Sequence, residues 1–331
     1  MEGAYYNGQY LNRLERLGYS QAEIDNKLES TFEEMFYGPE GVRLCHCAGP
    51  DMMYIEDTGN HDVRTEGMSY AMMFCVQMNR QKEFDCLWRW VVTHMYLTEG
   101  ENAGYFAWSC HTDGSKKSDG PAPDGEEFFA MSLFFAANRW GSGEGVLDYA
   151  SWARRILHAC VHKGEEAGSG FPMWNPENHL IKFIPNCEFT DPSYHLPHFY
   201  ELFALWSDEC DRPFWHAAAA ASRQYLRKAC HARTGLSAEY AEYDGRPHRG
   251  DQPDRHDWFF SDAYRTLGNI ALDAQWFGDK DGWAHETAAH IQQFFEEKEH
   301  GQTNGIYLID GTPVEGNALH PVGLLATIAQ G

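Results

Sequence analysis

The sequence predicts an all-α fold, a toroid of helical hairpins of the α/α barrel kind. Three observations carry that expectation. Helical periodicity dominates the 331 residues, segments apolar nearly all round alternate along the chain with amphipathic ones, and strand-like alternation is sparse.

In chain order, the first apolar segment covers residues 68–78 (MSYAMMFCVQM) and is followed by an amphipathic one at 82–97. The pairs that follow are 128–140 (FFAMSLFFAANRW) with 149–162, 194–206 (YHLPHFYELFALW) with 214–230, and 264–277 (YRTLGNIALDAQWF) with 283–298. A helix apolar on every side is buried on most sides, whereas one with a charged stripe lies between core and water. In the last amphipathic segment Ile291, Phe294 and Phe295 line one face, while Glu286, Gln293, Glu296 and Glu297 fall largely elsewhere. A buried helix followed by a half-exposed partner, repeated, describes hairpins whose inner members face a common axis. Pro197 stands within the third inner segment, where proline is expected to kink or end a helix. The loops are rich in Gly, Pro and Asp, as at 111–125 (HTDGSKKSDGPAPDG). No linker or shift in composition divides the chain, which predicts a single domain over 1–331. The run 322–329 (VGLLATIA) reads as the start of another apolar helix, and the chain stops at Gly331, so the last hairpin is expected to be incomplete.

Composition narrows the function. With 26 basic against 49 acidic residues the formal charge is −23, a surface that repels phosphate backbones and anionic lipid heads. Neither nucleic acid nor a membrane is expected as a partner. No basic stretch leads into an apolar one at the start, and no apolar run approaches the roughly 20 residues of a membrane span. Nine cysteines without framework spacing predict free thiols in a reducing cytoplasm. Cys45, His46 and Cys47 could offer metal ligands, but no second pair stands at zinc spacing, so the expectation is a structural cluster and no metal. The aromatic share of 15% exceeds what a core usually demands; flat apolar faces suit sugar rings, although most of these residues belong to the core.

An acidic residue precedes or opens each inner helix: Glu66, Asp124, Asp191 and Asp262, at intervals of 58, 67 and 71 residues (124 − 66, 191 − 124, 262 − 191). If the inner helices run parallel around an axis, these carboxyl groups converge on one concavity. The plainer explanation is capping, because acidic side chains satisfy free N–H groups and complement the helix dipole. Asp124 with Glu127 reads as a variant capping box, and Asp191-Pro192 as an N-cap followed by proline at the first helical position. Taken singly each carboxylate is a cap; the convergence of four favours chemistry. Cleaving a glycosidic bond needs a proton on the leaving oxygen and a nucleophile at the sugar carbon, and two carboxyl groups supply both. A helix N-terminus favours the ionised form, which helps a base and hinders an acid, so the acid needs burial or a neighbouring negative charge.

Four segments carry a resemblance to a family: TGNHDVRTEGMSYAMM around Glu66, GPAPDGEEFFA around Asp124, DPSYHLPHFYELF around Tyr194, and FFSDAYR around Asp262. Together they resemble glycoside hydrolase family 8, most closely its reducing-end xylose-releasing exo-oligoxylanases. The resemblance implies an (α/α)6 barrel and an inverting, cofactor-free hydrolysis that releases xylose from short β-1,4-xylooligosaccharides, by a chain expected to be a monomer. By motif, Glu66 matches the general acid and Asp262 the general base. Asp124 matches the carboxylate that holds and distorts the sugar at the cleavage position, and Tyr194 and Arg265 match residues that orient base and water. Trp108, in GYFAWSC, matches an aromatic platform under that sugar. His320, in ALHPVGL, resembles the Leu-His-Pro loop of the exo-acting members, where the histidine contacts the reducing-end hydroxyl. Inversion implies about 6.5–9.5 Å between the Glu66 and Asp262 carboxyl groups. The competing readings are an endo-acting xylanase or glucanase of the same family, a sugar epimerase or polysaccharide lyase on a helical toroid, and a sugar-binding protein without catalysis.

Overall fold

Apolar runs this long, spaced at the helical period, fold as helices rather than strands. The computed structural model describes residues 2–165, 168–250 and 255–331. The helices are α1 (Ala4–Asn7), α2 (Arg13–Arg16), α3 (Gln21–Tyr37), α4 (Thr65–Gln77), α5 (Gln81–Trp90), α6 (Pro123–Trp140), α7 (Tyr149–His162), α8 (Pro197–Trp206), α9 (Arg212–Ala229), α10 (Arg265–Phe277), α11 (Trp283–Glu299) and α12 (Pro321–Gln330). Among the described residues, none is long and apolar enough to cross a membrane. The chain divides into two compact units, Tyr10–Phe171, and Met1–Gln9 with Pro172–Gly331.

In the unit Tyr10–Phe171, α4 packs against both α5 and α6, and α6 against α7. The inner helices are therefore neighbours, each backed by its amphipathic partner. Met68, Met72, Cys75 and Val76 of α4 are buried, as are Phe129, Leu133 and Phe134 of α6. Trp88 of α5 anchors this core, its ring 5.4–5.9 Å from those of Phe106, Phe129 and Trp152; such aromatic pairs contribute about 0.5–1.5 kcal/mol each beyond area burial. The expected helix at 82–97 ends earlier, passing at Val91–Met95 into a π-turn. Val91, Val92 and Thr93 are stiff at χ1 and weaken the α-helix there. Helix α3 was not expected, although Ser20 and Glu23 form a complete capping box at its start.

In the second unit α8 packs against α9 and α10, and α10 against α11 and α12. Leu236, Phe259, Leu267, Ile291, Phe295 and Leu324 form one of its buried clusters. Pro197 does not kink a helix. It occupies the first position of α8, where proline loses no hydrogen bond, and the chain before it is a 3-10 turn, Pro192–Tyr194, followed by two residues outside helical conformation. The run 322–329 is helical, within α12.

The strands are short. Cys45–Cys47 pairs with Met53–Ile55, Val63–Arg64 with Ser109–Cys110, and Trp258–Phe259, Ile306–Leu308 and Pro313–Val314 form a three-stranded sheet in that order. The capping reading of Asp124 is overturned: Ala122 is the N-cap of α6 and Asp124 lies behind Pro123, inside the first turn. The N-cap residues of α4, α6, α8 and α10 are Arg64, Ala122, Leu196 and Tyr264, none with a side-chain cap bond. Of the four acidic residues only Asp191 caps, and what it caps is the Pro192–Tyr194 turn.

Candidate active site

Three of the expected site residues lie in the unit Tyr10–Phe171. Antiparallel pairing of Val63–Arg64 with Ser109–Cys110 sets the entry to α4 beside the segment that carries Trp108, and the Thr65 N–H donates to the Trp108 carbonyl at 3.0 Å. The Arg64 guanidinium lies 5.2 Å from the centre of the Trp108 ring. Its Nε is 3.0 Å from buried Asp62, which also takes Lys117 Nζ at 2.6 Å and Ser109 Oγ at 3.3 Å. Burial works to raise the Asp62 carboxyl, but the Lys117 and Arg64 bonds outweigh it and hold the group below the usual range.

Glu66 is the second residue of α4, half-buried, with Thr65 Oγ1 3.4 Å from its Oε2. Asp124 is the second residue of α6, buried, and accepts the Gly125 N–H at 3.0 Å. Gly125 explains how the two helix starts approach: a Cβ there would meet Thr65 Cβ at 2.5 Å. Contact between Thr65 and Gly125 brings their sequence neighbours Glu66 and Asp124 into one place, along with Trp108. Sequence reading passed over Glu126, two residues further along α6 and 0% exposed, whose Oε1 accepts the Phe106 N–H at 2.9 Å. Burial pushes its carboxyl well above the ordinary value, and the charges of Asp124 and Glu66 push the same way.

The other four expected residues lie in the second unit. Asp262 sits in the 3-10 turn Ser261–Tyr264 that runs directly into α10, and Arg265 reaches back so that its Nη2 is 3.3 Å from Asp262 Oδ2. The guanidinium lies 5.5 Å from the centre of the Tyr194 ring. Tyr194 is buried; its carbonyl accepts the Tyr200 hydroxyl at 3.2 Å, and Asn269 of α10 donates to the Ser193 carbonyl at 2.8 Å, tying the Pro192–Tyr194 turn to α10. His320 immediately precedes α12, its ring 5.8 Å from that of Tyr264, two residues after Asp262. The structure thus assembles Asp262, Arg265 and Tyr194, with His320 one ring away.

Two further carboxyl groups border this half. Asp191, 0% exposed, accepts the Ser193 N–H at 2.7 Å. Burial pushes its carboxyl up to about 8, Arg265 working against the rise and Asp262 adding to it. Glu239 was not singled out in the sequence, where GLSAEYAEYDG shows no helical pattern to flag it. Its Oε2 accepts the Trp258 indole N–H at 3.2 Å, and burial pushes it up to about 7.

Cys45, His46 and Cys47 form a strand and do not converge. Cys45 is buried and its thiol is pushed up to about 12 by burial, Cys47 is exposed, and His46 stacks on Tyr54 with Nε2 3.4 Å from Glu56. All nine cysteines are free thiols, six of them buried.

Carboxyl groups at helix starts, an indole face beside one set and an arginine-braced tyrosine beside the other, define the equipment of a glycoside hydrolase. The sequence pattern of the Glycosyl hydrolases family 8 matches residues 19–327, and the chain belongs to that family. It is 54% identical over 331 residues, 100% of this chain and 84% of the relative, to a reducing end xylose-releasing exo-oligoxylanase of Halalkalibacterium halodurans. It is 55% identical over 332 residues, 99% of this chain and 86% of the relative, to the reducing-end xylose-releasing exo-oligoxylanase Rex8A of Paenibacillus barcinonensis. The structure of Rex8A complexed with xylose superimposes with a TM-score of 0.96 at 54% identity, covering 99% of this chain and 86% of that one. Endoglucanase 2 of Ruminiclostridium josui is more distant, 26% identical over 91% of this chain and 61% of the relative. The all-α expectation and the family expected from the four motifs both hold.

Proposed function

We propose that the protein is an inverting glycoside hydrolase that releases xylose from the reducing end of short β-1,4-xylooligosaccharides, with Glu66 as general acid and Asp262 as general base. The observation that carries this reading is the identity of 54–55% to the two exo-oligoxylanases over essentially the whole chain, against 26% to an endoglucanase. Glu66 donates its proton to the glycosidic oxygen as the bond to the anomeric carbon breaks. Asp262, oriented by Arg265, takes a proton from the water that attacks that carbon from the opposite face. Asp124 grips the hydroxyls of the sugar being cleaved, Trp108 supplies the platform beneath it, Tyr194 helps place the water, and His320 reads the terminal hydroxyl of the leaving xylose. No metal or organic cofactor enters any of these steps. The family match across residues 19–327 runs through both units, which supports a single catalytic domain. Nine free thiols support a cytoplasmic protein.

The test uses xylotriose labelled at its reducing end. The label should appear in xylose alone, with unlabelled xylobiose released first as its α-anomer by NMR. Label in xylobiose, or rapid loss of viscosity on xylan, favours an endo-acting enzyme. Glu66→Ala and Asp262→Ala should each lower turnover by on the order of 10²–10⁴-fold with xylotriose binding retained; a near-normal rate in either refutes its role.

A further inference from the structure

Glu239 lies outside every motif of the sequence, on a segment held to the chain before Asp262 by backbone bonds. Its N–H donates to the Trp258 carbonyl at 2.8 Å, and the Tyr240 N–H to the His256 carbonyl at 2.9 Å. The side chain turns inward and is 7% exposed. Its Oε2 accepts the Trp258 indole N–H, and His256 Nδ1 lies 3.2 Å from the same oxygen. Three residues beyond Trp258 the backbone enters the left-handed region at Ser261, φ 44°, a conformation that costs a residue with a side chain and persists only where its surroundings enforce it. The Ser261 side chain hydrogen-bonds to Glu239, and the next residue is Asp262. One buried carboxyl therefore ties the strand residue Trp258 to Ser261, the first residue of the turn that carries the proposed base.

We propose that Glu239 is a positioning residue for the hydrolysis: it fixes the Ser261 turn that presents Asp262 to the water and sets the charge beside it. This inference rests on Asp262 being the general base. Burial holds the Glu239 carboxyl at about 7; the Trp258 bond works against the rise, Asp262 adds to it, and the Ser261 bond opposes it. Among the described residues, the other titratable groups that face this cluster include His256, the Tyr240 ring stacked on His256 at 4.0 Å, Asp191, Arg265 through its contact with Asp262, and Arg255, whose guanidinium lies 5.2 Å from the centre of the Trp258 ring. As pH rises through about 7, Glu239 passes gradually from neutral to charged. A second negative charge thereby arrives beside Asp262 and increases the pull on the water proton.

The test is the pH profile of kcat/KM on xylobiose carrying a β-fluoride at its anomeric carbon. Fluoride departs without a proton, so the ionisation of Glu66 drops out of the profile and the base remains. The wild-type profile should rise about threefold through pH 7. Glu239→Gln keeps the shape of the side chain and removes the ionisation, so its profile should be flat there, with kcat changed and KM nearly unchanged. His256→Asn should keep the step. Ser261→Gly relieves the strained φ but loses the hydroxyl; positioning predicts a lower kcat on the fluoride, whereas a purely structural role predicts an unchanged one. A wild-type profile without the step, or a step that survives in Glu239→Gln, overturns the proposal. Asp262→Ala separates the two readings: if it still hydrolyses the fluoride at a near-normal rate, the assignment of the base has failed rather than that of Glu239.

Discussion

Asp191 shows how burial, more than any neighbouring charge, can change the chemistry of a residue that the sequence marks as a cap. It does cap, accepting the Ser193 N–H, yet its other oxygen has no hydrogen-bond partner among the described residues, and its carboxyl stands at about 8. In the unfolded chain the same group ionises near 3.9. Between about pH 4 and 8 the unfolded state has therefore released a proton that the folded state keeps, so this residue lowers stability progressively as pH rises through that window and no further above it. Asp191→Asn retains an acceptor for Ser193 and removes the ionisation. It should be neutral near pH 4 and stabilising by on the order of 2–4 kcal/mol at pH 8. Urea denaturation at both pH values checks this; a difference that does not vary with pH refutes it. The contrast with Glu239 marks what a sequence can show of a site. Glu66, Asp124 and Asp262 were legible because they recur at the starts of successive apolar helices. Burial of Glu239 depends on residues 256–261 folding over it, a tertiary event that leaves no local pattern. Glu126 lies between these cases, since a charged residue in the first turn of a helix apolar on every side is a signal that could have been read.

Among the elements, α4 and α6 owe their approach to one missing side chain. A Cβ at Gly125 would stand 2.5 Å from Thr65 Cβ and 2.6 Å from Thr65 Oγ1, and those atoms belong to helix starts with little room to move apart. Gly125→Ala should cost about 1–3 kcal/mol, the usual penalty of overpacking, and should lower kcat on xylotriose more than it raises KM, because the residues it displaces neighbour Glu66 and Asp124. Melting temperature and steady-state kinetics measured together check both halves; a variant with wild-type kcat would show that the spacing of these two helix starts does not matter to the reaction. Most of the helices were legible because apolar periodicity over ten or more residues has few other solutions. The misses have separate physical causes. Helix α3 buries only Phe32 and Phe36, so its apolar stripe is too thin to stand out. The end of α5 is decided by a β-branched run, and the start of α8 by a proline that reads equally as a breaker or as a first residue.

At the scale of the whole molecule the dominant quantity is charge. Forty-nine acidic against 26 basic residues leave a formal −23, which destabilises the compact state through self-repulsion and repels anionic ligands. Salt screens exposed charges over roughly 10 Å at 0.1 M, so raising sodium chloride from 10 mM to 0.5 M should raise the melting temperature. The same change should leave kcat/KM on xylotriose nearly constant, because an uncharged sugar is not steered by the field of the protein. The two halves of this expectation separate the hydrolase from the lyase reading. A lyase acting on an anionic polysaccharide would have to bring like charges together, and its kcat/KM would climb with salt as that repulsion was screened; its products would also carry an ultraviolet-absorbing double bond. A melting temperature that rises with salt beside a kcat/KM that does not is the signature of an acidic protein working on a neutral substrate, and a strong salt dependence of the rate would count against xylooligosaccharides as that substrate.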